Sequence, residues 1–160
     1  MEVLTRDYGI ISVDEGSIIR FDEGIFGFEE YHNYVLLDGS ATGAATAGGS
    51  PFKCLQSLEE SSLAFVLIDP FAVKPDYEFT LGEELAAALD IREMEDVAVL
   101  SIVVVPEDVS KACFNLKAPL VINARLRKGV QHIVDGDEYK VRHNILDELE
   151  KGRRLSQTSA

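Results

Sequence analysis

Two unbroken apolar runs, each stopped by a proline, limit the fold more than any other feature of the chain. Leu63-Ala-Phe-Val-Leu-Ile68 ends at Asp69-Pro70, and Val97 through Val105, interrupted by Ser101, ends at Pro106. Both fall well short of the roughly 18–20 apolar residues that a membrane span needs. Their length and abrupt ends fit buried strands. Shorter strand patterns surround them. Tyr8 to Val13 and Ser17 to Phe21 flank Asp14-Glu15-Gly16, which reads as a hairpin turn. Tyr34-Val-Leu-Leu37 runs into a turn signal at Asp38-Gly39. Phe52 to Leu58 alternates roughly, with Phe52, Cys54 and Gln56 on one side and Lys53, Leu55 and Ser57 on the other. Pro119 to Leu126, Val130 to Val134 and Tyr139 to His143 read as an antiparallel meander, with turns at Lys128-Gly129 and Asp135-Gly136-Asp137.

One helix stands out. Thr80-Leu-Gly-Glu83 has the spacing of a capping box, and Leu81, Leu85, Ala88 and Leu89 then form an apolar stripe. Ile91 to Asp96 adds a possible short turn. The expected fold is therefore mainly β: a single small antiparallel β-barrel-like domain with one or two short helices, closed because closure removes exposed edges. It should span residues 1–145. Within it, residues 39–50 carry no charge and no large side chain and are expected to be a flexible loop. Residues 146–160 begin with helix formers and end in Ser156-Gln-Thr-Ser-Ala160. That tail is expected to fray after a short helix through Glu148-Leu149-Glu150.

With 160 residues, 46% of them hydrophobic, the chain can bury one core without staples. Cys54 and Cys113 lie far apart and outside any Cys-x-x-Cys spacing, which suits small buried hydrophobes in a reducing cytoplasm. Met1 to Asp7 has neither the basic start nor the apolar stretch of a secretion signal. Charge is uneven. Residues 1–110 hold 5 basic and 22 acidic positions, a balance of −17, whereas residues 111–160 hold 10 and 6, a balance of +4. Such a field repels phosphate backbones. On charge alone the plainer reading is that it keeps the protein soluble, and a basic protein partner is the alternative.

Catalytic and ligand motifs are missing. Gly48-Gly49 is followed by Ser50-Pro51 where a phosphate loop would place its lysine. His32, His132 and His143 lack metal-ligand spacing, and Asp135-Gly-Asp-Glu138 lacks the acidic periodicity of a calcium loop. No serine or cysteine lies in a nucleophile signature. Adjacent carboxylates such as Asp22-Glu23 and Glu83-Glu84 are expected by chance in so acidic a chain, and neighbours on a strand face opposite ways. No catalytic residue, metal or cofactor is expected.

Three ordered stretches carry a resemblance. They are Phe21-Asp-Glu-Gly-Ile-Phe-Gly-Phe28, then Pro51-Phe-Lys-Cys-Leu-Gln-Ser57, then Asn115-Leu-Lys-Ala-Pro-Leu-Val-Ile-Asn123 with Gln131 and Tyr139 beyond it. In that order they resemble the flagellar assembly factor family, FliW, over about residues 3–143. The resemblance implies a cytoplasmic, non-enzymatic protein with two partners. One is flagellin, bound through its C-terminal region. The other is CsrA, a small basic RNA-binding dimer whose repression of flagellin mRNA translation is relieved on binding. The insertion before Pro51 and Phe114 before Asn115 depart from the family pattern.

The residues add expectations of their own. Gly24 and Gly27 should supply positive φ or close packing. Asn115 reads as a turn residue whose side chain bonds backbone, and Pro119 suggests an edge strand open to an extended partner. Apolar anchors for flagellin are sought among exposed members of Phe26, Phe28, Phe52, Leu55 and Phe71. Gln56 would fix a backbone group, or be hydrogen-bonded internally if buried. The dense acidic stretch from Asp69 to Asp96 points to Asp76, Glu78 and Glu84 as contacts for CsrA. Two other classes compete with this reading. A carboxylate-based hydrolase would show two facing carboxylates in a cleft, and a small-ligand-binding barrel would show a deep apolar cavity.

Overall fold

The computed structural model describes residues 1–37 and 52–158, with side chains through Arg153. The expected loop at 39–50 lies outside the described residues. Strands β1 (Glu2–Thr5) and β2 (Gly9–Ser12) form a separate hairpin, tied by the Thr5 hydroxyl, which donates to the Gly9 carbonyl at 2.7 Å. The remaining strands are β3 (Ile18–Arg20), β4 (Asn33–Leu37), β5 (Phe52–Ser57), β6 (Ala64–Ile68) and β7 (Val97–Val104). They continue with β8 (Cys113–Phe114), β9 (Leu120–Asn123), β10 (Lys128–Gln131) and β11 (His143–Asn144). Around the barrel the order is β7-β6-β5-β4-β3-β10-β9, and β9 returns to β7, giving a closed seven-stranded barrel. Every pairing is antiparallel except that of β3 with β10, which meet in parallel at Arg20 and Lys128.

Strand β7 explains the longest apolar run. Its first half, Val97–Leu100, pairs with β9, and its end, Val103 and Val104, pairs with β8, which in turn carries β11. Both faces of these walls are covered. Inside the barrel, Phe21, Tyr34, Leu55, Leu67, Leu100, Leu120 and Ile122 fill the bore. Outside, a second cluster of Ile68, Val73, Tyr77, Val103, Phe114, Leu116, Tyr139 and Ile145 lies under the helices α1 (Pro70–Val73) and α3 (Ile145–Thr158). A third is roofed by Ile11 and Val13 next to β2, and a fourth by Leu85 and Leu89 of helix α2 (Glu83–Ala88) and its C-cap. Alternate residues of one strand thus enter different cores, and the strand reads as continuously apolar.

Several expectations need correction. Asp14-Glu15-Gly16 is no hairpin turn. The Asp14 carboxylate accepts from the Gly16 amide at 3.0 Å and caps a 3-10 turn, so β2 pairs back with β1 while β3 leaves for the barrel. The meander ends after two strands: β11 pairs with β8, not with β10. Lys128-Gly129 lies within β10, and the turn falls at Ala124 to Arg127, where Arg127 has φ 59°. Helix α2 begins two residues later than a Thr80 cap allows, with Gly82 at the N-cap and no side-chain capping bond. Gly82 is extended there, with φ −68° and ψ 163°, and this places Thr80 outside the first turn. The strand after Pro119 is flanked on both sides and offers no free edge. Finally, α3 runs on to Thr158, beyond the short helix through Glu150.

Asn123 shows why the last motif is needed. Fully buried, it donates to the carbonyls of Leu89 and Asp90 at 2.8 and 3.2 Å. Its own carbonyl accepts from the amides of Arg125 and Leu126. One side chain closes the β9-β10 turn and anchors the end of α2 to it.

Candidate partner-binding surface

The chain between β3 and β4 folds back on itself because of two glycines. Gly24 has φ +70°, and a Cβ there would lie 2.5 Å from the Glu29 Cα. Gly27 has φ +89°, its amide donating to the Glu29 carboxylate at 3.0 Å. That bond holds the carboxyl of Glu29 below the usual range. The fold drives Phe21 and Ile25 into the bore and leaves Phe26 50% and Phe28 38% exposed. Phe28 rests edge-on against Phe65, centroids 5.3 Å apart. Phe26 is held through its backbone: its amide donates to the Gln131 side chain at 2.9 Å, and Gln131 donates to the Ala118 carbonyl at 3.0 Å.

Phe26 forms one wall of an open groove of about 680 Å³. Leu85 and Ala88 of α2, Val130 and Gln131 of β10, and His132 and Ile133 beyond it supply the rest. Glu23, Glu83 and Glu84 line the same groove. Burial pushes the His132 imidazole below its ordinary value, with Asp135 opposing, so the ring is neutral at pH 7. Among the described residues no lysine or arginine lines this groove.

A second set of predicted residues lies on the segment from α1 toward α2. Asp69 caps α1, accepting from the Phe71 amide at 2.9 Å, and Phe71 stays 41% exposed beside Tyr77. Tyr77 is buried against Phe79 and Tyr139 and donates to the Leu116 carbonyl at 2.7 Å. Asp76 is exposed and pairs with Lys74 at 3.2 Å. Glu78 is exposed, its amide fixed by donation to the Tyr139 hydroxyl. The aromatic series continues from Phe79 to His132, whose rings meet at a tilt with centroids 5.7 Å apart, and so reaches the groove.

Two predicted residues are not on the surface. Leu55 is fully buried in the bore and cannot anchor a partner. Gln56 is fully buried too, and its bonds are internal. It accepts from the Arg6 amide at 2.9 Å and donates to the carbonyls of Ser57, Ser61 and Leu63. Alternation put Gln56 on the same side as Cys54 and left open whether it was a contact or internally bonded. The β1-β2 hairpin, through Arg6, Ile11 and Val13, covers that side and makes it internal. Phe52 opens β5 at 41% exposure. Of the predicted residues, then, the structure brings Phe26 and Glu84 to one groove and Phe71, Asp76 and Glu78 to one segment. Ile133, at 55% exposure, was missed because Val130 to Val134 reads as a uniform strand. The strand in fact ends at Gln131.

Among the described residues there is no group of three or more His, Cys, Asp or Glu that could hold a metal ion, and no helix is long and apolar enough to cross a membrane. In class, the chain is a small closed β-barrel with side-chain-filled bore, covered walls and an acidic exterior studded with aromatics. The chain belongs to the FliW protein family, whose model matches residues 2–145. It is 46% identical over 151 residues to the flagellar assembly factor FliW of Ruminiclostridium cellulolyticum, covering 94% of this chain and 98% of that one. The FliW of Thermoanaerobacter pseudethanolicus is 42% identical over 149 residues, covering 93% and 95%. A crystal structure of the flagellar assembly factor FliW superposes with a TM-score of 0.81 at 36% identity, covering 91% of this chain and 96% of that one.

Proposed function

We propose that this flagellar assembly factor works in the cytoplasm by binding two proteins, flagellin through its C-terminal region and the regulator CsrA, and that capture of CsrA relieves repression of flagellin mRNA translation. The partners follow from the family resemblance. One physical observation supports the reading most: the exterior between α1 and β7 presents Glu78, Glu83, Glu84, Glu93 and Glu95 with no ion pair to any of them among the described residues. Solvated carboxylates in that number suit a basic dimer. The exposed phenylalanines suit a segment such as flagellin's, disordered and amphipathic before assembly, that orders as it binds. Relatives named as assembly factors, and a bore filled by side chains, give neither the hydrolase nor the ligand-carrier reading support. Isothermal titration of purified flagellin and of purified CsrA into the protein tests the proposal. Saturable binding of both is expected, with CsrA losing its hold on flagellin mRNA as the protein is added. Binding of neither overturns it.

A further inference from the structure

We propose that the groove between Phe26 and α2 is a docking site for a short protein segment in which one or two apolar side chains are flanked by lysine or arginine. The proposal goes beyond the identity of the two partners above and does not depend on it. Its volume, about 680 Å³, is that of a site for a few side chains and not for a whole domain. Phe26 and Ile133 are half-exposed at its walls, and Leu85, Ala88 and Val130 supply further apolar lining. The walls are set in advance. Gln131 bridges the Phe26 amide to the Ala118 carbonyl, and the His132 ring meets that of Phe79 at a tilt. A segment entering such a groove loses little to rearrangement of the host.

Charge selects the occupant. Glu23, Glu83 and Glu84 face solvent along the groove, none has an ion pair among the described residues, and neutral His132 supplies no counter-charge at pH 7. An acidic or plain apolar segment would set its own charges against these carboxylates or leave them without partners. A basic one complements them.

Nuclear magnetic resonance titration of the full chain with three peptides tests this: acetyl-KKLFKK-amide, acetyl-EELFEE-amide and acetyl-KKSSKK-amide. The first should shift the amides of Phe26, Ala88, Gln131 and Ile133 saturably, and the other two should not. Neutralising the three carboxylates (Glu23→Gln, Glu83→Gln, Glu84→Gln) should raise the dissociation constant for KKLFKK at least about fivefold. Phe26→Ser should weaken it independently of charge. All four positions are exposed, and an unchanged urea midpoint will confirm that the variants fold. Absence of those shifts, equal shifts from EELFEE, or indifference to both variants overturns the proposal. Concentration-dependent shifts of the same amides without peptide would put a second copy of the chain there and overturn it too. Each of these failures leaves the flagellin and CsrA titrations unaffected.

Discussion

Gln56 shows how a single residue can pass for a contact and prove to be a keystone. Its amide group, itself fully buried, links β5 to Arg6 in the β1-β2 hairpin and to the turn before β6. Gln56→Leu should leave the Arg6 amide and at least one carbonyl without a partner, costing about 2–3 kcal/mol in urea unfolding. Partner affinity, measured where the variant remains folded, should not change. A loss of affinity at unchanged stability would return Gln56 to the surface. Gly24 is the second such position. Positive φ and a backbone 2.5 Å from any added Cβ make Gly24→Ala a strained change on both counts. A loss of about 1–3 kcal/mol is expected, together with weakened binding of whatever Phe26 contacts. Both residues were legible in the sequence as types. A glutamine in an apolar strand must be satisfied, and a Gly-x-x-Gly between aromatics must bend the chain. Whether Gln56 was a contact or an internal link was not legible, because that depends on the hairpin folding over β5.

Among the elements, α3 is fixed at its start, where the Asn144 side chain accepts from the Asp147 amide at 2.9 Å. It is held on the barrel by buried Ile145 and by Glu148, only 6% exposed, which meets His143 Nδ1 at 3.2 Å, Lys74 at 3.5 Å and Lys151 at 3.4 Å. His143 is oriented in turn, its Nε2 accepting from the Lys140 amide at 2.8 Å. Burial alone would raise the Glu148 carboxyl, but the His143 hydrogen bond and the two ammonium groups outweigh it and hold it below 4.5. A depressed carboxyl contributes stability above the unfolded value, and that contribution is lost as pH falls through the lower folded value. Glu148→Gln should therefore destabilise the protein by about 1–3 kcal/mol at pH 7. The gap from wild type should narrow as pH falls below about 4.5, read as urea midpoints across that range. A gap independent of pH would mean that packing, not charge, docks the helix. Sequence reading stopped this helix at Glu150 because Gly152 weakens the local pattern, and neither Lys74 nor the cluster under Ile145 is brought to the helix except by the fold. The same limit explains the hairpin assigned between Tyr8 and Phe21, where β2 and β3 are both adjacent strands and only the Asp14 cap decides that they part. Strand existence followed from the apolar runs. Pairing and closure through β7 and β9 involve residues 20 to 26 apart, and local pattern does not encode them.

For the whole molecule, closure and charge act together. A barrel with both faces of its walls covered has little flat edge left to share, so its partners must read side chains on the outer surface. That surface is dominated by one sign: the chain carries −13 overall, with the deficit concentrated before residue 111. Asp76, Glu78 and Glu84 are all exposed on it, and among the described residues only Asp76 has an ion-pair partner, Lys74. Since Lys74 also pairs with the buried Glu148, losing Asp76 leaves that lysine anchored. Reversing the three to lysine should thus leave the fold intact while changing the field by six charges (three carboxylates to three ammonium groups). Electrostatic steering acts on encounter, and salt screens it over about 8 Å at physiological strength. The reversed protein should associate with CsrA markedly more slowly than wild type at low salt, and the difference should shrink as salt rises. Flagellin binding, resting on apolar anchors, should change less. Surface plasmon resonance of wild type and the reversed protein with each partner at two salt concentrations measures these differences. A CsrA association rate indifferent both to salt and to the three reversals would place that interface on the less acidic side of the barrel, away from α1 and α2.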